Sequence, residues 1–143
     1  MEQAPLHLVV PATLLDARAA TEKVVSLCGR FGAEDRARYG TAVMEWLVNV
    51  VKHSYGDGRR DQILIRAIAG PESIELIIED TGQGMTPQAF DAAPSELSFD
   101  PSDLSTVPES GMGLTIIKSV MDSVQYHTEC GVNRLTAVRR WQK

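Results

Sequence analysis

A chain of 143 residues, 43 % hydrophobic and 23 % charged, suits one globular domain able to bury a core of its own. Its 19 acidic against 14 basic residues leave a net charge of −5, which argues against nucleic-acid binding and its basic surface. The N-terminus has no basic leader and no stretch reaches the roughly 18 apolar residues of a membrane span, so a cytoplasmic protein without membrane attachment is expected.

Leu6, Leu8 and Val10 alternate with His7 and Val9, which predicts a strand over 6–10 stopped at Pro11. Thr13 suits the N-cap of a helix running to about Arg30, with Gly29 and Gly32 bracketing its end. A second helix is expected from about Glu34 to Ser54, its apolar stripe made by Tyr39, Val43, Trp46, Leu47 and Val50, with Gly56-Asp57-Gly58 as the stop. Residues 62–69 and 73–79 are rich in Ile and Leu and flank Gly70-Pro71-Glu72, the pattern of a β-hairpin. Residues 86–109 carry Pro87, Pro94, Pro101 and Pro108 among scattered Ser, Thr and Asp; so long a stretch of weak structure inside a compact domain suggests a functional lid. A third helix opens after Gly111 and runs to about Asp122, and strands at 123–129 and 133–141 turn about Cys130-Gly131.

The order β-α-α-β-β-lid-α-β-β predicts a two-layer α/β (α+β) sandwich, a mixed, mainly antiparallel sheet with its helices on one face. No linker or repeat is visible, so residues 1–143 read as a single domain with a lid over about 86–110. Cys28 and Cys130 form no metal or redox spacing and are expected as reduced thiols, buried or half-buried. Trp46 and Trp141 are expected to pack in the core or an interface, and His7 and His127, on strands, to be structural or exposed.

Three stretches carry chemistry. Glu45, Asn49 and His53 stand at i, i+4 and i+8 on the second helix, with Lys52 beside them, so a carboxylate and an amide rise along one face next to the apolar stripe. An amide oxygen is a suitable hard ligand for Mg²⁺ held mainly by phosphates and water, and a nearby carboxylate can take a proton from an attacking hydroxyl. Asp80-Thr81-Gly82-Gln83-Gly84-Met85 follows an apolar strand, so Asp80 is delivered at a strand tip, where it can accept the exocyclic amine of adenine while the glycines let backbone approach a flat ligand. Ser110-Gly111-Met112-Gly113-Leu114-Thr115 opens a helix, whose free N–H groups and dipole suit a phosphate chain. The last is neither a P-loop nor a dinucleotide fingerprint. Singly, each pattern also fits an ordinary helix face, turn or helix start.

In this order the three resemble the GHKL superfamily of ATP-binding domains. Glu45, Asn49, Lys52 and His53 look like its N box, Asp80, Gly82 and Gly84 its first glycine box, and Gly111, Gly113 and Leu114 its second. The resemblance covers nearly the whole chain and implies the Bergerat sandwich. Within the superfamily, Asn49-x-x-Lys52-His53-Ser54-Tyr55-Gly56 and Ser110–Leu114 are similar to the anti-sigma-factor serine kinases of bacterial partner-switching systems.

That similarity implies a protein serine/threonine kinase that uses ATP and Mg²⁺, phosphorylates a serine of a small anti-sigma-factor antagonist, sequesters a sigma factor and forms a homodimer. By position it implies Glu45 as the catalytic carboxylate, Asn49 as the Mg²⁺ ligand and Asp80 as the adenine reader. Gly82, Gly84 and Met85 would line the base, and Ser110 to Thr115 the phosphates, with Lys52 and His53 also at the nucleotide. Related kinases place an arginine just before the serine of the second glycine box, whereas this chain has Glu109. Residues 86–109 contain no Lys or Arg against five acids, Asp91, Glu96, Asp100, Asp103 and Glu109, although phosphoryl transfer relies on positive groups. Such domains also end in a Gly-Thr-Thr pattern near adenine; here Gly131-Val132-Asn133-Arg134-Leu135-Thr136 offers Thr136 as the stand-in. A nucleotide-dependent binding switch with weak or no kinase activity is therefore the alternative. A histidine-kinase catalytic domain is a third reading, disfavoured because there is no room for a dimerisation helix pair.

Overall fold

The computed structural model describes residues 4–54, 61–94 and 112–142. The Gly56–Gly58 stop, most of the expected lid, Glu109, Ser110 and Gly111 lie outside them.

Strand β1 (Leu6–Pro11) leads through Ala12 into α1 (Leu14–Val25). Thr13 caps that helix: its Oγ1 accepts from Asp16 N at 3.0 Å and donates to Asp16 Oδ2. The helix ends five residues before the expected Arg30, because Leu27 N and Cys28 N bond back only three residues, to Val24 and Val25. This tighter turn swings Cys28 and Phe31 into the core. Helix α2 (Ala33–Asn49) continues to Ser54 as expected, but its last five residues, Val50–Ser54, are a π-helical turn. The step from Asn49 to His53 therefore lacks the α-helical rotation that the i+4 spacing assumes.

Strands β2 (Gln62–Ala69) and β3 (Ser73–Asp80) form the expected hairpin. A short helix α3 (Pro87–Ala92) comes next, inside the stretch expected as a weakly structured lid; Thr86 caps it through Ala89 N and Pro87 occupies its first turn. Helix α4 (Met112–Val120) leads into β4 (Ser123–Glu129) and β5 (Val132–Arg140), joined by Cys130 and Gly131 at φ 52° and 78°. Two successive positive φ values define the two-residue turn that matches strand twist.

Among the described residues five strands lie in the order β1-β2-β3-β5-β4, and every pairing there is antiparallel, not mixed as expected. Two helices, not one, separate β1 from β2; a pair returns the chain to the end of the sheet it left, so β2 runs back beside β1. One sheet face carries Ile63, Ile65, Ile74, Leu76, Ile78, Leu135 and Ala137, all buried in one cluster with Ala17 and Val24 of α1, Val43 and Leu47 of α2 and Ile117 of α4. The opposite face shows Val9 and Leu64, cross-strand partners, both exposed. Cys28 is buried, and burial pushes its thiol up to about 12, against the pull of Arg36. Cys130 is exposed in its turn, not half-buried as expected.

An aromatic cluster closes the sheet end remote from Asp80. Trp141 Nε1 donates to Gly70 O at 2.9 Å, and Arg30 donates to Gly70 O and Pro71 O at 3.0 and 2.7 Å. Phe31 bridges Trp141 (ring centroids 4.9 Å apart) and Tyr39 (5.6 Å). Tyr39 is fully buried, burial pushes its phenol far up, and among the described residues its hydroxyl has no partner. An unpaired buried hydroxyl costs about 1–3 kcal/mol. Tyr39→Phe, which keeps the ring, should raise thermal stability by about 1 kcal/mol, a few degrees in a melt; a fall in Tm would mean the hydroxyl has a partner.

Candidate functional site

The antiparallel order brings the C-terminal tip of β3, the β4–β5 turn, the end of α2 and the start of α4 to one end of the sheet. Alternation along β3 puts Ile74, Leu76 and Ile78 into the core, and the next residue in that phase is Asp80, 3 % exposed. A buried carboxylate requires donors. Asp80 Oδ1 accepts from Asn133 Nδ2 at 2.8 Å and from Gly82 N at 3.0 Å. Asn133 is its register partner across β3 and β5 and is itself buried.

The network extends from there. Asn133 Nδ2 also donates to Gly82 O at 2.9 Å, and Thr128 Oγ1 donates to Asn133 Oδ1 at 2.9 Å. The Tyr126 hydroxyl hydrogen-bonds Thr128 and accepts from Met85 N at 3.2 Å. Burial raises the Tyr126 phenol above its ordinary pKa; the Met85 and Thr128 bonds lower it and the Asp80 charge raises it further. A β-carbon on Gly84 would lie 2.3 Å from Asn133 Oδ1 and 2.9 Å from the Tyr126 hydroxyl, so only glycine lets the turn cross this network.

Glu45 is half-buried one turn before the end of α2, with Asn49, also half-buried, as the last residue of that helix. A β-carbon on Gly113 would lie 3.4 Å from Glu45 O and 3.5 Å from Glu45 Oε2, so the first turn of α4 rests on the carboxylate-bearing turn of α2. Trp46 is buried and meets Tyr126 edge-on at 5.7 Å, which ties that helix end to the Asp80 network. Lys52 is exposed in the π turn, and His53 falls in the same turn. Gly82 and Met85 are half-buried in the segment after β3. Met112 opens α4, Leu114 lies in the core and Thr115 is buried.

Thr136 does not stand near Asp80. It pairs with Ile77 and Gln125 on the opposite sheet face, and Asn133, three residues earlier, takes the place beside the carboxylate. Sequence reasoning also missed Thr128, Tyr126 and Lys118. Lys118 Nζ donates to the carbonyls of Phe90 and Ala93, closing the C-terminal end of α3, and lies 4.6 Å over the Phe90 ring. Phe90 in turn stacks on Tyr126 at 5.4 Å. Alternation with Leu135 and Ala137 sets Asn133 inward and Thr136 outward, the signal that could have found it; nothing in the sequence marks Lys118. No group of His, Cys, Asp and Glu among the described residues is arranged to hold a metal, and no helix among them is long and apolar enough to cross a membrane.

A buried acid at a glycine-turned strand tip, and at the same sheet end a helix start that rests on a second carboxylate, define an α+β sandwich domain with one polar end. A profile of the histidine kinase-like ATPase domain matches residues 10–139, and the chain belongs to that family. The chain is similar to the serine-protein kinase RsbW of Bacillus velezensis, 29 % identical over 93 residues, 64 % of this chain and 56 % of that protein. It is also similar to the anti-sigma F factor of Oceanobacillus iheyensis, 33 % identical over 85 residues, 59 % of this chain and 55 % of that one. It thus aligns over little more than half the length of these relatives. The RsbU and RsbW domains of a Mycobacterium tuberculosis protein share the fold at TM-score 0.63 and 18 % identity, over 96 % of this chain and 32 % of that one. The mycobacterial sensor histidine kinase MprB shares it at 0.54 and 23 %, over 96 % and 97 %.

Gly84→Ala should lower stability by about 1–3 kcal/mol through overpacking. Gly29→Ala, where nothing lies within 4 Å, is the control and should stay within about 0.5 kcal/mol; equal melts for the two variants would contradict the close approach. Lys118→Met, which keeps the stem, should cost about 1–2 kcal/mol and speed amide exchange across 87–93, with unchanged exchange there counting against the clamp.

Proposed function

We propose that the chain is an ATP- and Mg²⁺-dependent protein serine/threonine kinase of the partner-switching type, a single domain over 1–143 with a lid over about 86–110. Its substrate would be a serine on a small antagonist protein, and a sigma factor a second partner. The observation that carries this reading is the contact of α4's first turn with Glu45 at the same sheet end as Asp80. A phosphate chain at the start of α4 would meet free N–H groups and the positive helix end, with the acidic Glu45 beside its terminus.

Asp80 would accept the base's exocyclic amine, and Gly82, Gly84 and Met85 would lie against the ring. The Asn49 amide oxygen, half-buried at the helix end, is a hard donor of the kind that Mg²⁺ accepts, and with phosphate oxygens it would hold the ion. When bound, Mg²⁺ neutralises charge on the β- and γ-phosphates. Glu45 would take the proton of the attacking serine hydroxyl; the serine oxygen bonds to the γ-phosphorus and the bond to the β–γ bridging oxygen breaks, leaving ADP. General-base assistance of this kind contributes about 10²–10⁴-fold.

The second reading, a nucleotide-dependent binding switch with little transfer, is favoured by Lys118. It is committed to the carbonyls of Phe90 and Ala93, and residues 86–109 supply no Lys or Arg. Incubation with ATP–Mg²⁺ and the small proteins encoded beside this chain, followed by intact-mass analysis, separates the two. The kinase reading expects one added phosphate on a partner. Glu45→Gln should cut that transfer by about 100-fold or more and leave ATP binding within a few-fold. ATP-dependent partner binding with no phosphoprotein selects the switch, and full transfer by Glu45→Gln removes the role given to that residue.

A further inference from the structure

Asn133 is buried and makes three hydrogen bonds that leave its amide only one orientation. Its Nδ2 faces two acceptors, Asp80 Oδ1 at 2.8 Å and Gly82 O at 2.9 Å. Its Oδ1 receives the Thr128 hydroxyl at 2.9 Å. Flipped, the amide would set its carbonyl oxygen against two acceptor oxygens and lose both NH₂ bonds, whereas the Thr128 hydroxyl can bond either end of the amide. Gly82 O and Asp80 Oδ1 therefore fix the amide, with Thr128 bonded at its other end, and the amide together with Gly82 N puts two donors on one oxygen of Asp80. A carboxylate so held keeps its plane and acts as an acceptor.

We propose that Asn133, oriented by Gly82 O and braced by Thr128, is the positioning residue that fixes Asp80 as an acceptor, so that the site selects a purine with a 6-amino group over one with a 6-oxo group. This rests on the reading of Asp80 as the base-contacting residue. A 6-amino group donates to the held carboxylate, whereas a 6-oxo base brings oxygen against oxygen. Sites built to bond a donor reject analogues lacking it strongly. Without the amide, Asp80 loses one of the two donors that fix its oxygen and can turn away from the base amine, so the discrimination falls.

The test is calorimetric titration of the full chain with ATP and with inosine triphosphate, both with Mg²⁺, comparing wild type, Asn133→Leu and the near-isosteric Thr128→Val, each checked for folding by circular dichroism. Wild type should favour ATP by at least about tenfold, and the ATP-to-inosine-triphosphate ratio should fall at least fivefold in Asn133→Leu and by a smaller factor in Thr128→Val. A general loosening of the site would weaken both nucleotides and leave the ratio in place. If Asn133→Leu keeps the wild-type ratio, Asn133 has no positioning role; should it not fold, Asn133→Ala is read by the same ratio. Wild type binding both nucleotides equally overturns the selection while leaving nucleotide binding intact, and wild type binding neither overturns the ATP reading together with it.

Discussion

A carboxylate at 3 % exposure survives only where donors replace the water it has lost, and at Asp80 that need organises one whole end of the molecule. The β3–β5 register places Asn133 opposite, and the turn after β3 must fold back so that Gly82 N reaches the same oxygen. To do so it passes over Asn133 and Tyr126 at a distance where no side chain fits, which is why Gly84 is glycine. The apolar alternation of β3 and β5 holds that register, since a one-residue slip would turn Ile78 and Leu135 outward along with Asp80 and Asn133.

The two ends of the sheet are built for different purposes. At the far end, Trp141, Phe31 and Tyr39 form an aromatic run, and Arg139, buried, reaches Asp35 and Asp122 at 3.6 and 3.8 Å, so the last strand is pinned to the neighbouring helices and the hairpin turn by packing and ion pairs. At the Asp80 end the same helices that supply core residues finish in polar ones. Helix α2 gives up α geometry immediately after Asn49, and π turns of this kind are frequent at functional sites. Helix α4 begins against Glu45. Its Lys118 ties it to α3, the helix that comes after β3 in the chain. The stack Lys118–Phe90–Tyr126 thus joins the first part of the expected lid and the helix after it to the network around Asp80.

Most of the fold was legible because its signals are local. Alternation marked β1, runs rich in Ile and Leu marked β2 and β3, Thr13 marked a helix start, Gly70-Pro71-Glu72 marked a turn, and the helix stripe marked Val43, Trp46 and Leu47 as core. Misses fell where local signals were weak or overridden. Helix α1 stops early because Cys28 and Phe31 have a core to enter. Helix α3 is one and a half turns, too short for periodicity to reveal among prolines. The wholly antiparallel sheet comes from how the helix pair returns the chain, which no single segment encodes.

The candidate site divides in the same way. Which residues carry chemistry, and in what order, is readable along the chain: Glu45 and Asn49 on one helix, Asp80 among its glycines and Gly113 at a helix start, because spacing along one element is a local property. That Glu45 touches the start of α4, and that Asn133 rather than Thr136 stands beside Asp80, came only from the folded molecule. Those facts depend on strand register and helix packing between segments far apart in the chain. A shift of one residue in β5 exchanges the face that meets Asp80 for the face that does not.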